Sequence, residues 1–159
     1  TVRKATIDHV AYVAPRLREA DRREVSDFCD LAPEQALWQS FYHSDMAWAI
    51  LADGVPVGIF GCGDCCPWML GTDGLRDVLR HGTRAASTYL GIMLRRNGVL
   101  WNYVHADNHD AIRFLKWLGF DLFDPEPIGI DGARFRQFIM LSTINEQRGA
   151  GCAFKQQVS

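Results

Sequence analysis

The segment that decides the fold is Asn108-His109-Asp110-Ala111-Ile112-Arg113-Phe114-Leu115-Lys116-Trp117-Leu118-Gly119-Phe120. Asparagine and aspartate are preferred N-caps, so Asp107 or Asn108 is expected to begin a helix. Four apolar side chains then recur at helical spacing and define one face: Ala111, Phe114, Leu115 and Leu118. Gly119 permits the left-handed conformation that ends many helices. The segment therefore predicts a capped helix that packs on a sheet and leads directly into a strand.

The regions on either side of this helix predict three further strands and a long helix. Residues 99–104, 120–123 and 135–141 are rich in β-branched and aromatic residues, which favour strands. Apolar residues recur at helical spacing from Leu75 to Met93, which predicts the longest helix of the chain. The second half of the chain is therefore expected to run helix, strand, helix and two strands.

The first 42 residues predict a short strand followed by helices. Residues 2–7 favour the strand, and the helical pattern that follows reaches residue 20. Pro15 lies inside that pattern and is expected to kink or divide the helix. Helical patterns continue over 21–28 and 34–42.

Three antiparallel strands are predicted next. Asp53-Gly54 is a strong hairpin-turn pattern between the apolar stretches 46–51 and 55–60. A turn at 61–64 then leads to a third strand at 67–70. The combined order is β-α-α-β-β-β-α-β-α-β-β, an α/β (α+β) fold built around a mixed sheet.

Length and composition indicate one ordinary globular unit. The chain has 159 residues, of which 48% are hydrophobic and 23% charged, and this favours a single domain over residues 1–144. Residues 145–159 form a polar tail that we expect a partner to bind. The formal net charge of −2 predicts no direct nucleic-acid binding. No apolar run approaches the roughly 18 residues of a membrane helix, so no membrane association is expected.

The element order and the 108–120 segment resemble the GNAT superfamily of N-acetyltransferases. That resemblance implies acetyl-CoA, with its pyrophosphate bound to backbone N–H groups where the long helix begins. The superfamily carries an Arg/Gln-x-x-Gly-x-Gly/Ala loop there. This chain has Gly71 and Gly74 at the wrong spacing, and Asp73 adds a negative charge between them. We therefore expect a degenerate loop and no cofactor; the alternative is acetyl-CoA bound near Gly71, Gly74 and Asn108.

A second resemblance extends from about residue 45 to residue 141. Cys62-Gly63-Asp64, Cys66 and Trp68, together with the segments 100–104 and 112–116, are similar to the internal virion protein A family of short-tailed phages. This resemblance implies a phage product that takes part in virion assembly in the host cytoplasm, with the virion as a second expected location.

No catalytic residue is assigned from the sequence. Tyr103 and His105 share one strand face near the place where a GNAT acid or base would stand, but a core tyrosine and a hydrogen-bonded histidine are the simpler interpretation. Glu19 and Glu24 are candidate general bases, and their charge-rich helix equally favours a solvated face. Asn108 is either a ligand of the cofactor or only a helix cap.

The cysteines Cys62, Cys65 and Cys66 have three interpretations. Zinc prefers four ligands in paired spacings, and Cys29, His43 and Cys152 do not complete such a set. Redox activity needs a thiol of low pKa, typically at a helix N-terminus, whereas this cluster lies between two predicted strands. Buried thiols in a tight turn are favoured, and no metal site is predicted.

Arginines and one tryptophan are the candidate partner-binding residues. Arg76, Arg80 and Arg84 form a stripe along the long helix, and Trp117 lies outside the apolar face of its own helix. The first functional hypothesis is a virion assembly protein that binds other virion proteins through these residues and the tail at 145–159. The alternatives are an active N-acetyltransferase and a metal-stabilised binding module.

Overall fold

The computed structural model describes residues 1–81 and 83–143. Seven strands are present in this part of the chain: β1 (Val2–Lys4), β2 (Met46–Ala52), β3 (Val55–Gly63), β4 (Cys66–Gly71), β5 (Val99–His105), β6 (Asp121–Leu122) and β7 (Phe135–Leu141). Six α-helices accompany them: α1 (Ile7–Val13), α2 (Glu19–Phe28), α3 (Pro33–Tyr42), α4 (Leu75–His81), α5 (Thr83–Asn97) and α6 (His109–Leu118). Two 3-10 turns span Ala14–Arg16 and Ile130–Gly132. The α/β class predicted from the sequence is confirmed.

The strands form two antiparallel sheets. Their orders are β1-β2-β3-β4 and β5-β7-β6. The sheets meet where β4 and β5 lie side by side and run in the same direction: the Trp101 N–H donates to the Cys65 carbonyl at 3.0 Å. The predicted single mixed sheet is therefore replaced by two antiparallel sheets that adjoin where the start of β4 meets β5.

The two β-hairpins show which turn predictions were accurate. Asp53 and Gly54 have φ of 48° and 83°, as the first predicted hairpin turn requires. The second turn lies at Asp64 and Cys65, with φ of 48° and 66°, so the predicted turn at 61–64 was wrong. Gly61 belongs to β3, where a Cβ would lie 2.6 Å from the Met46 carbonyl oxygen. This glycine is needed for close strand approach and not for a turn.

The helical region differs from the predicted order before β2. Pro15 does divide the first helical pattern, since α1 ends at Val13 and a 3-10 turn precedes α2. Three α-helices, not the two of the predicted order, therefore separate β1 from β2. The predicted long helix consists of α4 and α5, on either side of residue 82.

Helices cover both faces of the sheets and bury two apolar clusters. The first lies against α4, α5 and α6 and is centred on Leu75, Leu100 and Val104. The second lies against α1 and α3 and is centred on Val10 and Leu37. Among the described residues, no helix has both the length and the apolar character needed to cross a membrane.

The helix at 108–120 forms as predicted. The Asn108 side chain accepts a hydrogen bond from the Ala111 N–H at 3.3 Å, so this residue, and not Asp107, is the N-cap of α6. Gly119 ends the helix with φ of 95°. Ala111, Leu115 and Leu118 pack on the first cluster. The helix therefore fixes the direction in which the chain leaves β5.

Candidate functional site

A cleft opens between β4 and β5 beyond the point where the Trp101 N–H bonds the Cys65 carbonyl. Its volume is about 630 Å³, and its walls are mainly apolar. Met69 and Leu70 line it from β4, and Tyr103 and Val104 line it from β5. Phe28 of α2 reaches it from the opposite side. A cleft of this size with apolar walls and a few polar groups is the natural candidate site.

Asn102 stands where the two strands separate. Its Nδ2 donates to the Pro67 carbonyl of β4 at 3.0 Å, and its Oδ1 accepts the Tyr103 N–H at 2.8 Å. The side-chain amide thus occupies the position that a peptide group would fill in a continuous sheet. The residue keeps the strands apart while satisfying a backbone group on each, and its role was missed in the sequence.

Helix α2 is bound to the end of β4 by a buried carboxylate. Asp21 is 3% exposed, and its Oδ2 accepts the Gly71 N–H at 2.8 Å. Its Oδ1 lies 2.9 Å from Arg18 Nη2, and the Arg18 N–H donates to the Gly71 carbonyl at 2.9 Å. Burial raises the pKa of Asp21, and the hydrogen bond and charge of Arg18 oppose that rise. Both backbone groups of Gly71 are therefore taken by α2 and the residue before it.

Backbone hydrogen bonds, one to β3 and one within the turn, hold the turn after β4. The Thr72 N–H donates to the Val57 carbonyl at 2.8 Å, and the Leu75 N–H donates to the Thr72 carbonyl at 3.0 Å. A Cβ on Gly71 would lie 2.6 Å from both Leu75 Cδ2 and the Val57 oxygen, and one on Gly74 would lie 3.1 Å from Val57 Cγ1. Packing against β3 and α4 thus explains why both positions carry glycine.

A polar cluster joins the other end of α2 to the end of β5. Glu24 Oε2 accepts from Asn108 Nδ2 at 2.8 Å and from the His105 N–H at 3.3 Å. Burial raises the pKa of the Glu24 carboxyl, and the hydrogen bond from Asn108 opposes the rise. Asn108 therefore caps α6 with its Oδ1 atom and bonds to Glu24 of α2 with its Nδ2 atom. Glu19, the other predicted base, is exposed on the same helix.

His105 is buried in this cluster and is 6% exposed. Its Nδ1 accepts the Asp107 N–H at 3.1 Å, so Nε2 carries the ring proton and donates it to Asp27 Oδ2 at 3.0 Å. Its ring also packs edge-on against Phe135. Tyr103 does not join the polar cluster; its ring lies 5.8 Å from that of Phe28. The expected hydrogen-bonded histidine is present, with α2 supplying its partner.

The family of the chain follows from a family model described as Bacteriophage T7, probable scaffold protein Gp13, which matches residues 46–126. This range is just over half of the chain. The chain belongs to this phage family. The resemblance to virion proteins of short-tailed phages, given by the sequence between about residues 45 and 141, is thus confirmed.

Solved structures show that this Gp13-family chain has the fold of the GNAT acetyltransferases. Ard1 from Thermoplasma volcanium has a TM-score of 0.64 at 17% identity, covering 89% of this chain and 96% of its own. The putative acetyltransferase YncA from Salmonella typhimurium, determined with its cofactor acetyl-CoA, has a TM-score of 0.63 at 14% identity, covering 94% and 96%. A GCN5-related N-acetyltransferase from Kribbella flavida has a TM-score of 0.64 at 19% identity, covering 89% and 97%. No curated protein matches the sequence.

The residues predicted to bind partners of this Gp13-family chain are only partly described. Trp117 is 53% exposed and stacks on Phe114. Arg76 Nη2 lies 3.2 Å from Asp110 Oδ2, and Arg80 is exposed. The side chain of Arg84 and the tail at 145–159 lie outside the described part of the structure. Trp117 is thus the exposed aromatic that the sequence pattern predicted.

The cysteine cluster of the Gp13-family chain consists of reduced thiols. Cys62 and Cys65 are buried, and Cys66 is half-buried. Burial raises the pKa of Cys62 to about 12, which leaves almost no Cys62 thiolate near neutral pH. Within residues 1–81 and 83–143, no three His, Cys, Asp or Glu side chains gather into a metal site. Buried thiols therefore remain the favoured interpretation.

Proposed function

We propose that this chain is a phage assembly protein that binds other virion proteins and does not transfer acetyl groups. Membership of the Gp13 scaffold family supports the assembly role. The observation that carries the loss of acetyl transfer is the 2.8 Å hydrogen bond from the Gly71 N–H to Asp21. We place this role in the host cytoplasm during assembly, with the virion as a second location.

The negative charge beside β4 disfavours the binding of acetyl-CoA. A pyrophosphate needs free N–H donors and the positive end of a helix. At Gly71 the donor already bonds a carboxylate, which is itself an anion held by Arg18. Asp73 adds a second negative charge in the same turn, and this one is exposed to solvent. A pyrophosphate would have to displace one carboxylate and approach another, so the Asp21 carboxylate stands where the cofactor's anion would bind.

Two features favour the alternative, an acetyl-CoA-dependent N-acetyltransferase. The cleft between β4 and β5 is retained, and Glu24 offers a carboxyl with a raised pKa beside it. In that case Gly71, Gly74 and Asn108 would contact the cofactor, and Glu24 would be the candidate base. However, the Nδ2 and Oδ1 atoms of Asn108 and the Oε2 atom of Glu24 already form hydrogen bonds within the protein.

The partner-binding surface that we propose is centred on Trp117 and continues through Arg76, Arg80 and Arg84. Half-exposed tryptophans and arginines are the residues that most often dominate protein interfaces. We also propose that residues 1–144 form the folded domain and that the tail at 145–159 adds to the interface.

The assembly role is tested in phage that lack the gene and receive it in trans. We expect the deletion to lower the yield of complete particles, and mass spectrometry to find the wild-type chain in particles or in assembly intermediates. Trp117→Ala should lower this incorporation at least tenfold, because truncating an interface hot spot costs roughly 2 kcal/mol or more of binding free energy. Phe123→Ala is the matched control, since Phe123 is equally 53% exposed. Normal particle yield without the gene would refute the proposal.

Acetyl-CoA binding is tested by calorimetry on the wild type, Asp21→Ala and Asp73→Ala. Both substitutions remove one negative charge near the turn, but only the first releases the Gly71 N–H and the Arg18 guanidinium. We expect no saturable heat at millimolar acetyl-CoA for the wild type or Asp73→Ala, and weak binding by folded Asp21→Ala. Saturable wild-type binding would favour the acetyltransferase alternative.

A further inference from the structure

The strand β4 presents alternate residues to β3 and to the cleft. Gly71 pairs with Gly58, and the Thr72 N–H donates to the Val57 carbonyl. Because hydrogen-bonding direction alternates along an antiparallel strand, Leu70 and every second residue before it bond to β3. The intervening residues, including Met69, direct their N–H and C=O groups away from β3 and toward the cleft.

Nearly all of these outward groups have partners, and Met69 is the exception. The Pro67 carbonyl accepts from Asn102, and both groups of Gly71 bond to Asp21 and Arg18. For the backbone N–H and C=O of Met69, no hydrogen bond is found within residues 1–81 and 83–143. A free donor and acceptor therefore lie on the β4 wall of the cleft.

The β5 wall offers a matching acceptor. The Ala106 N–H donates to the Arg134 carbonyl in the segment just before β7. Because the direction of the backbone groups alternates along the strand, the N–H and C=O of Tyr103, three residues earlier, point away from β7. Its N–H is taken by Asn102 Oδ1, and its carbonyl has no hydrogen-bond partner in the described part of the chain. Unpaired peptide groups on a strand edge are the usual template for pairing with another chain.

Charge at one rim of the cleft narrows the chemistry of the occupant. Arg76, Arg80 and Arg113 line this rim together with Asp110, whose carboxylate pairs with Arg76 and Arg113. The rim thus keeps an excess of positive charge. The walls below it are apolar. An occupant with amide groups, apolar side chains and an acidic residue matches all three features.

We infer that the cleft binds an extended segment of another virion protein, which enters between β4 and β5 as an added strand. The segment pairs with the Met69 backbone, places apolar side chains on the cleft walls, and directs an acidic residue to the arginine rim. This inference rests on the proposed function, because it names the class of partner that the assembly protein binds.

The first test is an array of overlapping twelve-residue peptides that covers all virion proteins of the phage. The wild-type chain should bind at least one acidic, apolar peptide, with a Kd on the order of micromolar or tighter. Ala86→Phe, which adds a ring inside the cleft, should weaken that peptide at least tenfold. Ser87→Phe is the control, because Ser87 is exposed on the same helix and does not line the cleft. Binding to no peptide, or equal binding by both variants, would overturn the inference.

The second test needs no variant of the protein. Hydrogen exchange should show that the Met69 amide gains protection when the peptide binds, while the Leu70 amide, already bonded to β3, changes little. N-methylation of the peptide residues whose N–H groups face Met69 should abolish binding, and N-methylation of the alternate residues, which face only the Tyr103 carbonyl, should weaken it less. Binding that persists after both kinds of methylation would contradict strand addition.

The two proposals can fail separately. Phage complemented with Ala86→Phe should give fewer complete particles than phage complemented with Ser87→Phe. Equal particle yields would overturn the cleft inference and leave the assembly role intact. Normal yields without any copy of the gene would instead refute the assembly role.

Discussion

The two ends of α2 are bound to the two walls of the cleft by different chemistry. At the β4 end, Asp21 and Arg18 form a buried ion pair whose carboxylate bonds the backbone of Gly71. At the β5 end, Glu24 and Asp27 bond His105 and Asn108 through a more exposed network. The first end places a buried carboxylate on the backbone of β4, which on our proposal takes the place of a cofactor anion, whereas the second end holds the N-terminus of α6.

The largest expected effect comes from Asp21→Ala. The substitution leaves Arg18 and the Gly71 N–H unpaired in a buried place, which costs about 3 kcal/mol of unfolding free energy. Urea denaturation measures the change. Asp73→Ala, which removes an exposed carboxylate from the same turn, should alter stability by less than about 0.5 kcal/mol. Equal stability of the two variants would show that the β4 end is not specially stabilised.

A smaller effect is expected at the β5 end from Asp27→Ala. The His105 Nε2–H would lose its acceptor while remaining buried, at a cost of about 1 kcal/mol. Glu19→Ala is the control on the same helix, since Glu19 is exposed. Thermal unfolding of the two variants compares them. A cost as large as that of Asp21→Ala would remove the distinction between the ends of α2.

The smallest expected effect is the pH dependence that Glu24 contributes. Burial raises its folded-state pKa above the ordinary value of 4.5. The folded state then binds more protons than the unfolded state above that pH, so this contribution to stability falls as pH rises from about 4.5 through the folded-state pKa. Glu24→Gln should remove that part of the slope in denaturation curves between pH 4 and 7. An unchanged slope would show that the Glu24 carboxyl does not titrate abnormally.

The elements that depend on neighbouring residues were predictable from the sequence. Asn108 and Gly119 determine the two ends of α6 through bonds within about four residues, and Asp53-Gly54 determines the first hairpin. Pro15 likewise ends α1 by local sterics. The second turn was misplaced because Gly61 is needed for close approach to β2, which no local pattern reveals.

The candidate site was less predictable, because its decisive contacts join distant parts of the chain. Asp21 and Gly71 are 50 residues apart, and Glu24 and Asn108 are 84 residues apart. The sequence named Glu24 and Asn108 but did not indicate that they bond each other. It gave no reason to single out Asp21, which lies in the first turn of α2. Asn102 was missed because its role exists only where β4 and β5 meet.

The central claim is that the Asp21 carboxylate occupies the anion site of an acetyltransferase fold. Its most direct test is nuclear magnetic resonance of the wild-type Gly71 amide during titration with acetyl-CoA to about 5 mM, a concentration that detects even a Kd near 1 mM. The account predicts that the Gly71 N–H signal does not shift, because the proton stays bonded to Asp21. A saturable shift of that signal would contradict the account.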